Sequence, residues 1–395
     1  MKKVLRNIIS ERSLRLPEPE IANLMKILVE QKKSIISLGP GEPDFGAPKT
    51  AISCGIKCLK HGETHYSPAE GRTDLRKAIA RKLKKKNKIN VSEDEIIVTT
   101  GSNEAILLSM MATIDPGEQV LVPDPGYLAF RPIVELMNGQ ALSIPLLEED
   151  GYDINPDAIR WLIKNPKKVR ALFLNCPGNP TANMVTKKRL EEIADIAVEH
   201  DLLIVADEAY EDFVFEGKHT AIASLNGMKN RVLSLFTFSK SHGMAGFRIG
   251  YAAGPKKIID TMVKLHISST LAAPTVSQIA ALNVLKGSQA HLKKNWKEYK
   301  RRSKLVCKRI NDLPGFHCPQ SKGSFYAFAK YDYKKNSLAF AKWLIKNAKV
   351  AVVPGSEFGR YGEGHLRFSY ATDYKLIEKA MNRIEKALKK IKKQH

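Results

Sequence analysis

Residues 232–248 read Val232-Leu233-Ser234-Leu235-Phe236-Thr237-Phe238-Ser239-Lys240-Ser241-His242-Gly243-Met244-Ala245-Gly246-Phe247-Arg248. The apolar run 232–238 predicts a buried strand. It delivers a lysine to a loop flanked by hydroxyls and followed by an arginine. A lysine held at the edge of an apolar interior loses hydration, which lowers its pKa and favours the neutral amine needed for a Schiff base. Thr237, Ser239 and Arg248 supply two hydroxyls and a forked cation, a donor set suited to a phosphate dianion. Taken alone, Lys240 is more often an ordinary strand-end lysine that reaches water. The rest of the chain reverses that preference.

Upstream, apolar runs alternate with amphipathic helical stretches from about residue 96 to 251, the pattern of a parallel sheet covered by helices. Strands are expected at 95–99, 119–122, 169–174 and 202–206 as well as 232–238. Each leads into polar or aromatic residues: Gly101-Ser102-Asn103-Glu104, Pro123-Asp124-Pro125-Gly126-Tyr127, Asn175-Cys176-Pro177-Gly178-Asn179-Pro180-Thr181, and Asp207-Glu208-Ala209-Tyr210. Open α/β sheets bind ligands at the carboxyl ends of their strands, and five such ends in succession are hard to ascribe to coincidence. After Pro274 helices dominate, with a long basic stretch at 289–311. A βαβ-like region follows, with strand 324–329, helix 338–347 and strand 350–353. An alternating strand at 365–370 places His365, Arg367 and Ser369 on one face, and a terminal amphipathic helix closes the chain. The expected architecture is α/β. A large domain, 46–290, holds a mainly parallel sheet sandwiched by helices. A smaller α/β domain is formed by 1–45 with 291–395, its core joined by the segment at 35–38.

A lysine imine beside a phosphate site is what pyridoxal 5'-phosphate requires. That cofactor acts as an electron sink only while its ring nitrogen stays protonated, which a neighbouring carboxylate ensures. Asp207, ending a strong apolar strand, is the candidate; the competing reading is a cap for the next helix. Tyr210 and Asn179 are candidates for the cofactor's phenolic oxygen. Gly101, Ser102 and Asn103 offer backbone N–H groups to the phosphate at a helix start, or are ordinary capping. Tyr127 stacks on the pyridine ring or packs within its own turn. Arg367 grips an α-carboxylate in a bidentate fork or serves as a surface ion-pair partner.

The 395 residues suit two or three domains. No run approaches the roughly 20 apolar residues that cross a bilayer, and the basic Met1-Lys2-Lys3-Val4-Leu5-Arg6 start is followed by charge and proline, so neither a membrane association nor a signal peptide is expected. Five cysteines, an odd number, fit a reducing, cytoplasmic setting. Cys54, Cys58 and His61 share a helical face, but no second cluster completes a metal site, and helix packing accounts for them better. The net charge of +23 invites a nucleic-acid reading. The excess is mostly lysine spread over helical faces, without an arginine groove, zinc finger or aromatic RNA-binding motif, so no specific nucleic-acid partner is expected.

Together, these spacings resemble the fold type I PLP-dependent aminotransferases of class I/II over nearly the whole chain. Gly39-Pro40-Gly41-Glu42-Pro43-Asp44-Phe45 is similar to the family's N-terminal Gly-Glu-Pro-Asp-Phe segment, which implies a backbone contact from Gly41 to substrate. Tyr66-Ser67-Pro68-Ala69-Glu70-Gly71 with Leu75-Arg76 resembles the element whose tyrosine reaches the phosphate of the neighbouring subunit. The resemblance therefore implies a homodimer with sites at the interface. Asn179-Pro180-Thr181 matches the Asn-Pro-Thr-Gly motif, with Ala182 in place of glycine. Asp207-x-x-Tyr210, Ser239-Lys240 with Gly246-x-Arg248, and the strand at 365–371 match closely, and Thr237 stands where serine is commoner.

The implied activity is ping-pong transamination through pyridoxamine phosphate between an L-amino acid, aspartate favoured, and a 2-oxo acid such as 2-oxoglutarate. Lys240 would be general base and acid, and Arg367 would orient the substrate carboxylate. The alternatives are an aromatic amino acid or prephenate aminotransferase, a C–S lyase or synthase of the same fold, and a DNA-binding regulator, which would need an appended domain. For a distal substrate carboxylate, Arg12, Arg15, Arg131 and residues of a partner subunit all stay open.

Overall fold

The computed structural model describes residues 9–16 and 34–390; residues 1–8, with the start of the chain discussed above, lie outside them. The strands are β1 (Ile36–Ser37), β2 (Ile96–Thr99), β3 (Gln119–Asp124), β4 (Gln140–Pro145), β5 (Val169–Asn175), β6 (Leu203–Asp207), β7 (Val232–Thr237), β8 (Gly250–Ala253), β9 (Phe316–His317), β10 (Tyr326–Tyr331), β11 (Val350–Ala351), β12 (Val353–Pro354) and β13 (His365–Ser369). Among the described residues the large sheet has seven strands in the order β2-β8-β7-β6-β5-β3-β4. β8 runs antiparallel to both of its neighbours, and the other pairings are parallel.

The strands are hydrophobic on both sides because both faces are covered. Ile97, Val120, Val122, Leu233, Leu235 and Ala252 point to one face, where they meet Ile106 and Met110 of the helix Ser102–Thr113 and Met262 of Lys256–Ser269. The alternate residues point the other way. Ile96, Val98, Phe236 and Tyr251 pack with Leu75 and Ile79 of the helix Thr73–Lys82 and Ala280 of Thr275–Lys286. Leu121, Leu172 and Ile204 pack with Leu190 and Ile193 of Lys187–Glu199. Helix Lys49–Lys60 places Cys58 in its buried face, and Cys54 Sγ accepts from Asn283 Nδ2 at 3.0 Å, so these cysteines serve a helix–helix contact.

The remainder builds a second sheet in the order β12-β13-β10-β9. Here the βαβ-like expectation is corrected. The helix Ser337–Ala348 does link parallel strands, because β10 and β12 are both antiparallel to β13, but β13 lies between them. The run read as one strand at 350–353 also splits. Val350–Ala351 pairs in parallel with Ile36–Ser37, and only Val353–Pro354 joins the four-stranded sheet. Ile36 and Leu38 share the core with Val306 and Ile310, Phe340 and Leu344, and Ile377, Met381 and Ile384. Those last three lie on one stripe of the helix Tyr374–Leu388, the period that places a helix face on a core.

The fold aims three strand junctions at one place. A β-carbon on Gly250, at the start of β8, would sit 2.8 Å from Gly101 C, from Ser102 N and from the Phe236 carbonyl. None of these is a flexible side-chain tip, so relief needs backbone movement. Gly250→Ala is expected to cost about 1–3 kcal/mol through such overpacking and to loosen the turn before Ser102. Denaturant unfolding and cofactor bound per chain should both fall, and unchanged values for both would contradict this packing.

Candidate active site

Lys240 follows the end of β7, and Asp207 ends the adjacent β6, where it pairs with Leu235. Nζ of Lys240 donates to the Gly41 carbonyl at 2.6 Å. Burial pulls its pKa down to about 8, and the charge of Asp207 is the main force opposing that. Burial raises Asp207, 4% exposed, to about 7, partly offset by a bond from Ala209 N to Oδ1 at 3.1 Å and by Lys240. Asp207 therefore does accept a bond of the capping kind, while its carboxyl lies within the electrostatic reach of Lys240.

A buried polar chain runs away from this pair. Arg367 Nη1 donates to Asn179 Oδ1 at 2.9 Å, and Nη2 donates to the Gly39 carbonyl at 2.7 Å. Asn179 Nδ2 donates to the Tyr210 hydroxyl at 3.5 Å, and that hydroxyl meets the Tyr326 hydroxyl at 2.8 Å. Asn175 Oδ1 accepts from Asn179 N at 2.8 Å and holds the loop. Arg367 is 2% exposed, lies over the rings of Tyr326 and Phe358 at 4.3 and 4.7 Å, and burial lowers its pKa. This is not a surface ion-pair arginine. Its Nε is buried with no partner among the described residues, a donor whose cost is relieved when an anion arrives. The segment 39–41 is thus gripped at two carbonyls by the two cations.

The expected phosphate donors converge on the other side. Gly101 has φ +80, and a β-carbon there would lie 2.6 Å from Arg248 Nη2. The arginine therefore closes on the turn that opens the helix Ser102–Thr113. Glu104 ties that turn together by accepting from Thr100 N and Thr270 Oγ1, each at 2.6 Å. These bonds and His266 hold its carboxyl down at about 2, against burial, which pushes the other way. Thr237 Oγ1 donates to Ser239 Oγ at 2.9 Å and accepts from Ser239 N at 3.1 Å. Tyr127 donates its hydroxyl to Asn103 Oδ1 at 2.8 Å and packs edge-on against Phe130. Ala182 adopts φ 55 and is buried, so the loop keeps the left-handed geometry that glycine would favour.

Not every sequence candidate joins this group. Tyr66 is 84% exposed. Arg131 is committed elsewhere: it donates to the Ala141 carbonyl and to Ser143 Oγ, whose hydroxyl in turn donates to Asp124. Arg12 is exposed on the short helix Glu11–Arg15, and the side chain of Arg15 lies outside the described residues. Tyr326, Asn175, Glu104 and Phe358 escaped the sequence reading. Tyr326 carried a signal, a hydroxyl inside the otherwise apolar run Phe325-Tyr326-Ala327-Phe328.

The residues fit pyridoxal 5'-phosphate: a dehydrated amine, a buried carboxyl within its field, hydroxyls and an arginine at a helix start, and an orphaned arginine N–H. The sequence model for aminotransferase class I and II matches residues 33–384. An aspartate aminotransferase of Pyrococcus abyssi is 42% identical over 94% of this chain and 96% of its own. An aromatic-amino-acid aminotransferase of Thermococcus litoralis is 40% identical over 97% and 99%. The crystal structure of an aromatic aminotransferase from Pyrococcus horikoshii superimposes with a TM-score of 0.88 at 42% identity, covering 92% of this chain and 98% of that one. The chain belongs to the class I and II aminotransferases, and it is a pyridoxal 5'-phosphate-dependent transaminase.

Proposed function

We propose that the enzyme transfers the amino group of aspartate to 2-oxoglutarate, and that the pairing of Lys240 with Asp207 carries the reaction. When bound, pyridoxal 5'-phosphate supplies the aldehyde that takes the amine and the ring that accepts the electrons freed at the amino acid's Cα. Lys240 Nζ, neutral in a useful fraction near pH 8, would take the proton from Cα and deliver it to C4' of the cofactor. Asp207 loses its proton readily once a positive ring nitrogen lies beside it, because an opposite charge offsets the burial that raised it. Tyr210 and Asn179 would hold the phenolic oxygen, and Tyr127 would flank the ring. Gly101, Ser102, Asn103, Thr237, Ser239 and Arg248 would hold the phosphate. Arg367 turns from its resting acceptors to clasp the α-carboxylate as a fork, with Asn179 and the Gly41 backbone beside it.

The name of the Pyrococcus abyssi relative supports aspartate. A second reading, an aromatic donor, is favoured by the aromatic walls around Arg367, by the commitment of Arg131 to β4, and by the name of the Thermococcus litoralis relative. We also infer a homodimer, supported by the exposure of Tyr66 and of Ile52, Ile56 and Leu59 on the helix Lys49–Lys60. The two sheets support domains at 46–290 and at 1–45 with 291–395. No described helix is long and apolar enough to cross a membrane, and the free cysteines support a cytoplasmic setting.

A panel of amino donors tested one at a time should convert the bound cofactor to its pyridoxamine form, with recovery on adding 2-oxoglutarate. Aspartate should react fastest. A faster aromatic donor selects the second reading, and ammonia release instead of recovery would mean a lyase. For Lys240, the protonated amine cannot attack an aldehyde. The rate at which apoprotein captures the cofactor should therefore rise with pH and level off above about 8, falling about tenfold per unit below. A plateau only above pH 10 would contradict the dehydrated lysine. Mixing inactive Lys240→Ala with inactive Tyr66→Ala subunits should restore part of the activity; no recovery despite proven subunit exchange would contradict shared sites.

A further inference from the structure

The two loops that carry Asp207, Tyr210 and Lys240 also wall a second cavity, of about 600 Å³, lined by their other residues: Glu208, Glu211, Asp212, Ser241 and His242. Its floor is aromatic. Phe236 and Tyr251 stack at 4.9 Å, and Phe238 and Leu292 extend the apolar surface. Five cations, Arg81, Lys82, Lys85, Lys86 and Lys286, line it together with the three carboxylates Glu208, Glu211 and Asp212. The carboxylates are already satisfied. Glu211 takes Lys82 at 2.5 Å and Lys86 at 3.2 Å, Asp212 takes Lys86 at 2.5 Å, and Glu208 takes His219 at 2.5 Å. Among the described residues Arg81, Lys85 and Lys286 make no ion pair and no side-chain hydrogen bond, and all three are exposed. His242 adds no charge, because burial lowers its pKa to about 4. The five lining cations therefore outnumber the three lining carboxylates, and Arg81, Lys85 and Lys286 are the ones left uncompensated.

A second observation points to a ligand. Tyr251 is 3% exposed, yet its hydroxyl has no hydrogen-bond partner among the described residues. The charges that act on it, those of Glu211, Lys86, Asp212 and Glu208, all belong to the cavity wall. The hydroxyl itself is not sealed from solvent, so it stands open to the cavity that the residue lines, where a ligand could bond it. The volume is that of a small-molecule site, apolar with a few polar groups that fix orientation.

We propose that this cavity is a second, non-catalytic site for small organic acids: an aromatic or branched apolar body seated on Phe236 and Tyr251, with its anionic groups held by Lys85, Lys286 and Arg81. It borders the catalytic pocket and shares Thr237 with it, with the Asp207–Asp212 and Thr237–His242 stretches between the two.

The test uses holoenzyme whose cofactor has been fixed by borohydride, so that the catalytic pocket is filled and its state is read separately from absorbance. Anilinonaphthalene sulfonate, an aromatic anion that fluoresces in apolar surroundings, is titrated in and then displaced by naphthoate. We expect one saturable site per chain. Its Kd should rise about tenfold or more in the Lys85→Glu/Lys286→Glu double variant, since both charges are exposed and unpaired. It should rise about threefold in Tyr251→Phe, which removes a single hydrogen bond. Inorganic phosphate should displace the probe at least about tenfold less well than naphthoate, lacking an apolar body. No saturable binding, an affinity unmoved by both variants, or displacement by phosphate as effective as by naphthoate would each overturn the proposal.

Discussion

The proposed chemistry depends on the electrostatic coupling of Asp207 and Lys240 across the ends of two adjacent parallel strands. Neither group would suit the reaction in water, where the carboxyl would be fully ionised and the amine fully protonated near neutral pH. Burial moves both toward neutrality, and each charge resists the other's change. Such a pair is expensive in an apolar interior, so the surroundings must hold it in place. β6 and β7 do so because they are central strands with helices on both faces, and their hydrogen-bonded register fixes where each loop departs.

Around the pair, polar groups are matched closely enough that little freedom remains. Arg367, Asn179, Tyr210 and Tyr326 form one buried chain, and the 39–41 segment closes it through two carbonyls. This ties the second sheet to the first: Tyr326 and Arg367 stand on β10 and β13, while Asn179 and Tyr210 follow β5 and β6. A shift of one unit against the other would be felt by every member. Next to the site, Glu211 pairs with Lys82 and Lys86, while Lys85 and Lys286 make no ion pair among the described residues.

Much of this was legible in the chain because buried parallel strands leave continuous apolar runs, as at 169–174 and 232–238, and their carboxyl ends are where polar residues collect. What escaped has physical reasons. β4 is an edge strand whose Gln140-Ala141-Leu142-Ser143-Ile144-Pro145 mixes polar and apolar residues without a clear period. β8 is four residues long and begins with glycine; it turns back antiparallel beside β7, its predecessor in the chain, while its other partner, β2, is distant in sequence. The split at 350–354 depends on β1 and β13 competing for one run. Asp207, Asn179 and Arg367 were recognisable by their positions at strand ends or on an alternating strand. Tyr326 acquires its place through long-range contacts, and Glu104 through one local bond from Thr100 N together with distant ones to Thr270 and His266. The division of labour between Arg367 and Arg131 was likewise invisible: one lies buried over two aromatic rings, the other tied to a neighbouring strand.

The amine at position 240 is the group proposed to hold the cofactor. Borohydride reduction of the holoenzyme, followed by proteolysis and mass mapping, addresses it directly. A single pyridoxyl addition on the peptide containing Lys240 is expected. Label on another lysine, or a protein that binds the cofactor yet retains no label, would contradict it.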